Sequence, residues 1–309
     1  MFFFEPSISL TVRFSMRTAS IILFILIGCS PELSGERSVE DDLGRILDVS
    51  PTIERIAPLA PSITELVFAA GAGSKVAGVS TVDDFPPSID SLPKYNLIPM
   101  DFEAIVSLDL DLIIASEQVN TLKDADLFAS VGLPVFFVVV NDLEDITRSI
   151  RNLGELLGTS MIASHRASEL EDSLSLLQLR TADIKSKPDV LFLIEHTTLY
   201  AFGEGSYIHA MIDLAGGKSL TEDMSLRFPI LTDEFVLTSK PEVIVGTFGD
   251  GFEISQLLEA HPTWDILPAV ESGRVYNLNS DYYLGPGPRL VKGACVLAEI
   301  LHPEMMSNP

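Results

Sequence analysis

Residues 101–116, D-F-E-A-I-V-S-L-D-L-D-L-I-I-A-S, and residues 232–247, T-D-E-F-V-L-T-S-K-P-E-V-I-V-G-T, carry one pattern twice. Each reads as a loop, a short helix opened by a glutamate, a turn and a buried strand. Glu103/Glu234 and Ile113/Ile244 are identical between the copies, apolar positions largely align, and an acid (Asp111, Glu242) precedes each strand. A supersecondary unit recurring at this spacing points to two similar lobes, each with a glutamate at an equivalent place. Carboxylates also suit helix N-termini because the aligned peptide dipoles leave positive charge there. On the repeat alone, the two glutamates therefore read equally well as helix-start residues.

The rest of the chain fits a two-lobed α/β protein. Residues 55–59 read as a short strand, Ser62 and Glu65 as a capping box opening a helix to Ala70, and 76–79 as the next strand. Strands at 112–115 and 135–140 alternate with a helix at 124–131, the order that builds a parallel sheet. Leu143, Ile146, Ile150, Leu153 and Leu157 follow helical periodicity behind Asn141 and Asp142, and a second helix is expected over 160–184. At 1.5 Å per residue that helix is roughly 35–40 Å long, enough to brace two lobes. A second alternating set follows: strands at 190–194 and 274–278, a helix at 207–215 closed by Gly216 and Gly217, and the second copy of the repeat. The expected domains are an N-terminal lobe over 51–140, a helical segment over 141–186 and a C-terminal lobe over 187–309.

Before the first lobe comes an export signal. Arg13 and Arg17 precede the apolar run 21–27, which is too short to span a bilayer, and Gly28-Cys29 follows. Leu26-Ile27-Gly28-Cys29 resembles the bacterial lipobox, which implies a signal peptide over 1–28 and a lipid on Cys29; Met16 also serves as a start. A plain secretory signal is the competing reading. The polar, acidic stretch 29–50 reads as a flexible tether. Cys295 has no partner if Cys29 is lipidated, so no disulfide framework is available.

The 20 basic against 44 acidic residues argue against nucleic acid, whose phosphates demand basic patches, and against broad attachment to anionic lipid. H-E-x-x-H, G-x-S-x-G and C-x-x-C motifs are absent, and the five histidines have no metal-ligand spacing. His196, beside Glu195 after a strand, is the best candidate for an axial ligand or an acid–base group.

Open α/β sheets bind ligands at the carboxyl ends of their strands. The loops there are 81–85, 98–101, 195–200, 227–229, 248–250 and 281–284. They concentrate the aromatics Phe85, Tyr200, Phe228, Phe248, Tyr282 and Tyr283, whose flat faces suit a large, partly apolar ligand.

Several short segments, in order, carry a family resemblance: R-I-A-P-L-A-P-S-I-T-E at 55–65, Phe85-Pro86-Pro87, the two glutamate units, Gly132-Leu133-Pro134-Val135, Leu214-Ala215-Gly216-Gly217, and Gly273-Arg274-Val275-Tyr276 through Pro288-Arg289-Leu290. Together they resemble the cobalamin- and ferric-siderophore-binding proteins of ABC importers. The resemblance implies two Rossmann-like lobes joined by one rigid helix, a monomer without catalysis, and a metal chelate held in the cleft. The chelate expected from this resemblance is a corrinoid, with haem or a ferric siderophore as alternatives. It implies that Phe228, Asp281 and Tyr282 fall at ligand-holding positions, and that Glu103 and Glu234 dock onto arginines of a permease dimer. Relatives carry aromatics near Val82 and Ile98, where this chain is aliphatic. An extracytoplasmic enzyme using His196 and Glu195, or a surface scaffold without small ligand, are the rival classes.

Overall fold

The computed structural model describes residues 35–306; Cys29 and the export signal lie outside them. The described residues open with an antiparallel hairpin, β1 (Arg37–Glu40) and β2 (Ile46–Val49). The N-terminal lobe follows with β3 (Ile56–Pro58), α1 (Pro61–Ala69), β4 (Val79–Ser80), β5 (Lys94–Tyr95), α2 (Phe102–Val106), β6 (Leu112–Ser116), α3 (Leu122–Ala129) and β7 (Val135–Val138). Helices α4 (Leu143–Leu157) and α5 (Ser160–Thr181) come next. The C-terminal lobe has β8 (Asp189–Leu193), α6 (Tyr207–Leu214), β9 (Lys218–Ser219), α7 (Asp233–Ser239), β10 (Val243–Gly246), α8 (Ile254–Ala260), α9 (Pro268–Glu271), β11 (Val275–Asn277), α10 (Arg289–Leu301) and α11 (Pro303–Met306).

Both lobes are parallel and share one strand order. In the C-terminal lobe β9, β8, β10 and β11 lie side by side. In the N-terminal lobe β3, β6 and β7 pair in that order, and a bridge between Ile56 and Val76 brings the chain entering β4 alongside β3. β6 and β10, the strands of the repeat, are buried throughout. Alternation along them sorts the core. Leu112 and Ile114, like Val243 and Val245, join a central apolar cluster that also takes in α1, α4, α6 and α10. Ile113 and Ile244 face separate outer clusters, one per lobe. The acids before the strands also share a role: Asp111 Oδ2 accepts from the amides of Glu54 and Arg55 at the entry to β3, and Glu242 Oε2 from the amide of Asp189 at the entry to β8.

The expected long helix is α5, 22 residues, but it does not stand alone. It packs along α4, which ends at Gly158 in the left-handed conformation (φ 76°). The two helices approach so closely that a methyl group on Gly154 would sit 2.2 Å from the Ala163 side chain.

Two local expectations are corrected. The stretch 29–50 is not a free tether throughout. The turn between β1 and β2 docks on the edge of β7: Asp42 N donates to Phe137 O at 3.1 Å, and Phe137 N to the buried Asp41 carboxylate at 3.2 Å. Arg45 holds Asp41 at 2.7 Å and lies over the Phe137 ring. A polar sequence is ordered here because its carboxylates satisfy the open sheet edge. Nor do Ser62 and Glu65 form a capping box. Pro61 occupies the first helical turn with Ala60 at the cap and no side-chain cap bond, and Glu65 turns inward.

Candidate functional site

The carboxyl ends of both sheets point into one cleft, and two ion pairs bridge it. Arg227, before α7, holds Glu117, after β6, with contacts of 3.1 and 3.2 Å. Arg289, at the start of α10, holds Glu65 of α1 at 2.8 Å, with Asp84 at 3.5 Å and Asp281 at 3.2 Å around it. Burial pushes the Glu65 carboxyl up, and the Arg289 guanidinium partly offsets that rise. One oxygen of Glu65 is buried without a partner.

A cavity lies at each bridge. One, of about 460 Å³, is lined by Asp42, Leu43, Glu117, Val139, Asn141, Glu204, Gly205, Ser225 and Arg227. The other, of about 230 Å³, lies between Ala60–Glu65 and Val82, Asp84, Ser116, Gln118 and Val119 on one side and Ser280, Asp281, Leu284 and Arg289 on the other. Their linings hold six carboxylates against two guanidiniums, and both guanidiniums are already paired. A larger groove of about 860 Å³ runs along α4, α5 and α6. Apart from Asp142, the cap of α4, its lining comes from the three helices, and its arginines are matched by Glu171 and Asp145 within their own helix pair. The cleft is therefore the better candidate despite its smaller volume.

Exposed apolar side chains gather on the loops leaving the strands: Val82 and Phe85 after β4, Ile98 after β5, Val119 after β6, Tyr200 after β8, Leu226, Phe228 and Ile230 before α7, and Leu284 after β11. Ile98 is 90% exposed, a large apolar area open to solvent. The sequence-based candidates split accordingly. Phe85 lies under the Arg289 guanidinium at 4.8 Å, beside Asp281. Phe228 packs edge-on against Phe202 at 5.7 Å, and Tyr200 bridges to Ile230 next to it. Tyr282 is engaged by Lys292, whose ammonium is 2.9 Å from its hydroxyl and 4.7 Å from its ring centre.

Tyr283 is not a cleft residue. It is fully buried, its hydroxyl donates to Gly293 O at 3.0 Å, and its carbonyl accepts from the Tyr207 hydroxyl. Asp281, Tyr282 and Tyr283 follow one another through a 3-10 turn, where successive side chains point about a third of a revolution apart, so one must turn inward. Phe248 is buried too, its ring tilted against Phe252 at 4.4 Å. Sequence reasoning took Glu65 for a helix cap, included Asp84 only as part of the loop 81–85 without singling it out, and passed over the loop 116–119. The only signal for Glu65 and Asp84 was the arginine 224 and 205 residues away.

His196 is half-buried, edge-on to Phe248 and Phe252, with Nδ1 buried and unpartnered. Glu195 faces its own turn, taking hydrogen bonds from the Thr198 amide and the Thr197 hydroxyl. The Thr198 amide bond, more than the nearby His196, holds its carboxyl below the usual value. The two side chains form no hydrogen-bonded acid–base pair.

Glu103 and Glu234 occupy equivalent places, the second residue of α2 and of α7. The caps are provided by their neighbours: Asp101 Oδ1 accepts from Ala104 N at 3.1 Å, and Thr232 Oγ1 from Phe235 N at 3.2 Å. Both glutamates are exposed, and their side chains take part in no hydrogen bond or ion pair among the described residues.

A family model described as periplasmic binding protein matches residues 56–282. The chain belongs to the periplasmic binding protein family. This periplasmic binding protein is 27% identical over 281 residues to the ABC transporter substrate-binding lipoprotein YvrC of Bacillus subtilis, covering 86% of each chain. It is 25% identical over 252 residues to the vitamin B12-binding protein of Vibrio parahaemolyticus, covering 80% of this chain and 89% of that one. Among solved structures, the vitamin B12-binding protein BtuF of Vibrio cholerae superposes with TM-score 0.73 at 24% identity, over 83% of this chain and 99% of that one. The haem-binding protein RhuT of Roseiflexus sp. RS-1 superposes with TM-score 0.69 at 25% identity, over 82% and 99%. The shared architecture is two lobes of mixed α/β structure with parallel sheets, and the family's work is solute binding rather than catalysis. Among the described residues no helix is long and apolar enough to cross a membrane.

Proposed function

We propose that the chain is the extracytoplasmic, lipid-anchored solute-binding component of an ABC importer, and that its solute is a corrinoid. The observation that carries the ligand class is the cleft's chemistry. Large apolar surfaces stand on both sides, the arginines are consumed by cross-lobe pairs, and the remaining polar groups are carboxylates and neutral side chains such as Asn141, Gln118 and the lining serines. Such a site favours a large ligand with flat apolar faces and a rim of hydrogen-bond donors, such as the peripheral amides of a corrinoid. It disfavours strongly anionic chelates, because buried acceptors facing carboxylates are left unpaired. The vitamin B12-binding names of relatives support this reading, and the lipoprotein name of YvrC supports the anchor at Cys29.

Phe85, Tyr200 and Phe228 supply the faces in this reading, Asp281 accepts from ligand amides, and Glu103 and Glu234 meet the permease. Tyr282 borders the site through Lys292. Haem is the second reading, favoured by the exposed Tyr200 phenol, which is suited to ligate iron. Calorimetry with cyanocobalamin, haem and a ferric-siderophore panel tests it, with optical spectra for haem. Tight binding of cyanocobalamin supports the corrinoid, a tyrosinate-type Soret shift supports haem, and silence against all three overturns chelate transport.

A further inference from the structure

Asp233, the first residue of α7, sits beside Glu234, and its Oδ1 is shared by two buried rings. His261 Nδ1 lies 2.7 Å away and Trp264 Nε1 2.8 Å away. The rings stack at 4.4 Å with 21° between their planes. On its other edge, His261 Nε2 is 3.0 Å from the carbonyl oxygen of His196, in the segment that leaves β8 and reaches the cleft at Tyr200. Its two ring nitrogens thus face acceptors on two different segments, a carboxylate and a carbonyl. His209 differs: its partners are the Ser219 hydroxyl and Gly203 O, which a neutral ring satisfies.

The same two segments are also stitched by backbone. Ala201 N donates to Pro229 O, and Leu231 N to Leu199 O, each at 2.9 Å. The strip bearing Phe228 therefore runs without slack into the cap of α7, and His261 clamps that junction from behind. The N-terminal lobe has no such clamp: the residue matching Asp233 is Phe102, which packs on Phe128 at 4.9 Å.

We propose that His261 is a positioning residue that couples occupancy of the cleft to the carboxylate Glu234 presents, so that the C-terminal lobe reports the ligand to the permease. This rests on the importer reading above. Both ends of the clamp are fixed to single atoms, so displacement at Tyr200 passes through His261 to the start of α7. A coupling of this kind needs two sites and one element whose arrangement both of them bias.

Trp264 is the chain's single tryptophan, which makes the clamp directly observable. The full chain is labelled with 5-fluorotryptophan and followed by fluorine resonance, alongside calorimetry with cyanocobalamin and uptake in cells. In the native protein, saturating cyanocobalamin moves the Trp264 resonance. In His261→Gln it does not, affinity is retained, and uptake falls by about tenfold, within the usual range of such couplings. A ligand-free arm uses Tyr200→Ala, which moves the resonance when His261 is present and not when it is Gln. An unmoved resonance in both arms, equal movement with and without His261, or normal uptake by His261→Gln overturns the proposal. If cyanocobalamin gives no heat, the corrinoid reading fails by itself and the Tyr200 arm still decides the coupling. Circular dichroism checks the fold. Asp233→Asn, which keeps an oxygen for Trp264 while removing the charge, shows the same loss of coupling and serves if His261→Gln does not fold.

Discussion

The two lobes share strand order, acid clamps and an exposed glutamate at the second residue of a short helix, yet they stabilise those features with different chemistry. Around α2 the N-terminal lobe uses aromatic packing, and elsewhere it draws carboxyls inward: Asp41 and Glu65 buried and Asp42 half-buried, each met by an arginine. The C-terminal lobe draws histidines inward instead, His209 half-buried beneath the cleft loop and His261 buried behind α7. Under the importer proposal, what the lobes share is what a two-fold partner would see, and where they differ, each lobe has its own way of holding it. Matching patches on a single chain present a pseudo-symmetric face to a symmetric dimer.

The sharpest way to break the comparison is at the shared face. Glu103→Ala with Glu234→Ala is expected to abolish uptake while ligand affinity and melting temperature stay near native. Neither glutamate caps its helix, and charge complementarity of this kind governs docking rather than ligand affinity. Normal uptake by a properly displayed double variant would reduce both residues to solvated surface. Equal losses from the two single variants would support equivalent prongs. A larger loss from Glu234→Ala would match the clamp found only behind α7.

Next in size is a contrast within one lobe. Tyr283→Ala should cost about 3–5 kcal/mol of stability, the scale for deleting a buried aromatic, because it also orphans the hydrogen bond to Gly293 O. Phe228→Ala should leave stability nearly unchanged and instead cost on the order of 1–3 kcal/mol of ligand binding. Denaturant melts beside calorimetry separate the two. Loss of affinity from Tyr283→Ala without loss of stability would return that residue to the cleft.

The equivalence of Asp111 and Glu242 is open to the same treatment. Asp111→Ala frees two backbone amides and should cost about 1–2 kcal/mol, whereas Glu242→Ala frees one, at an exposed position, and should cost less. Equal costs would mean that solvent replaces these bonds without penalty.

Legibility in the sequence followed the range of each interaction. The repeat, the buried strands and the paired acids could be read because each is local, or is copied in the other half. The cross-lobe pairs could not, since Glu65 and Arg289 meet over 224 residues and Glu65 sits where a capping box was expected. The hairpin was missed because its order comes from Asp41 and Asp42 satisfying amides of β7 nearly a hundred residues on. Tyr283 was misjudged because composition marks a loop as aromatic without telling which ring turns inward.

The smallest effect sharpens the contrast of buried groups through pH. Glu65 is raised above its ordinary value of 4.5, chiefly by burial. Between 4.5 and its raised value the folded state binds more proton than the unfolded chain, so this group makes stability fall as pH rises through that window. His209 is lowered below its ordinary 6.5, again chiefly by burial. Below 6.5 the unfolded chain binds more proton, so this group makes stability fall as pH drops. Mild acidification therefore favours the folded N-terminal lobe through Glu65 and opposes the C-terminal lobe through His209. Melting temperatures across pH 4.5 to 6.5 should decline more steeply on acidification in Glu65→Gln than in the native chain, and less steeply in His209→Gln. The same slope in all three would show that neither buried group changes its proton affinity on folding, and that the lobes do not differ in this respect.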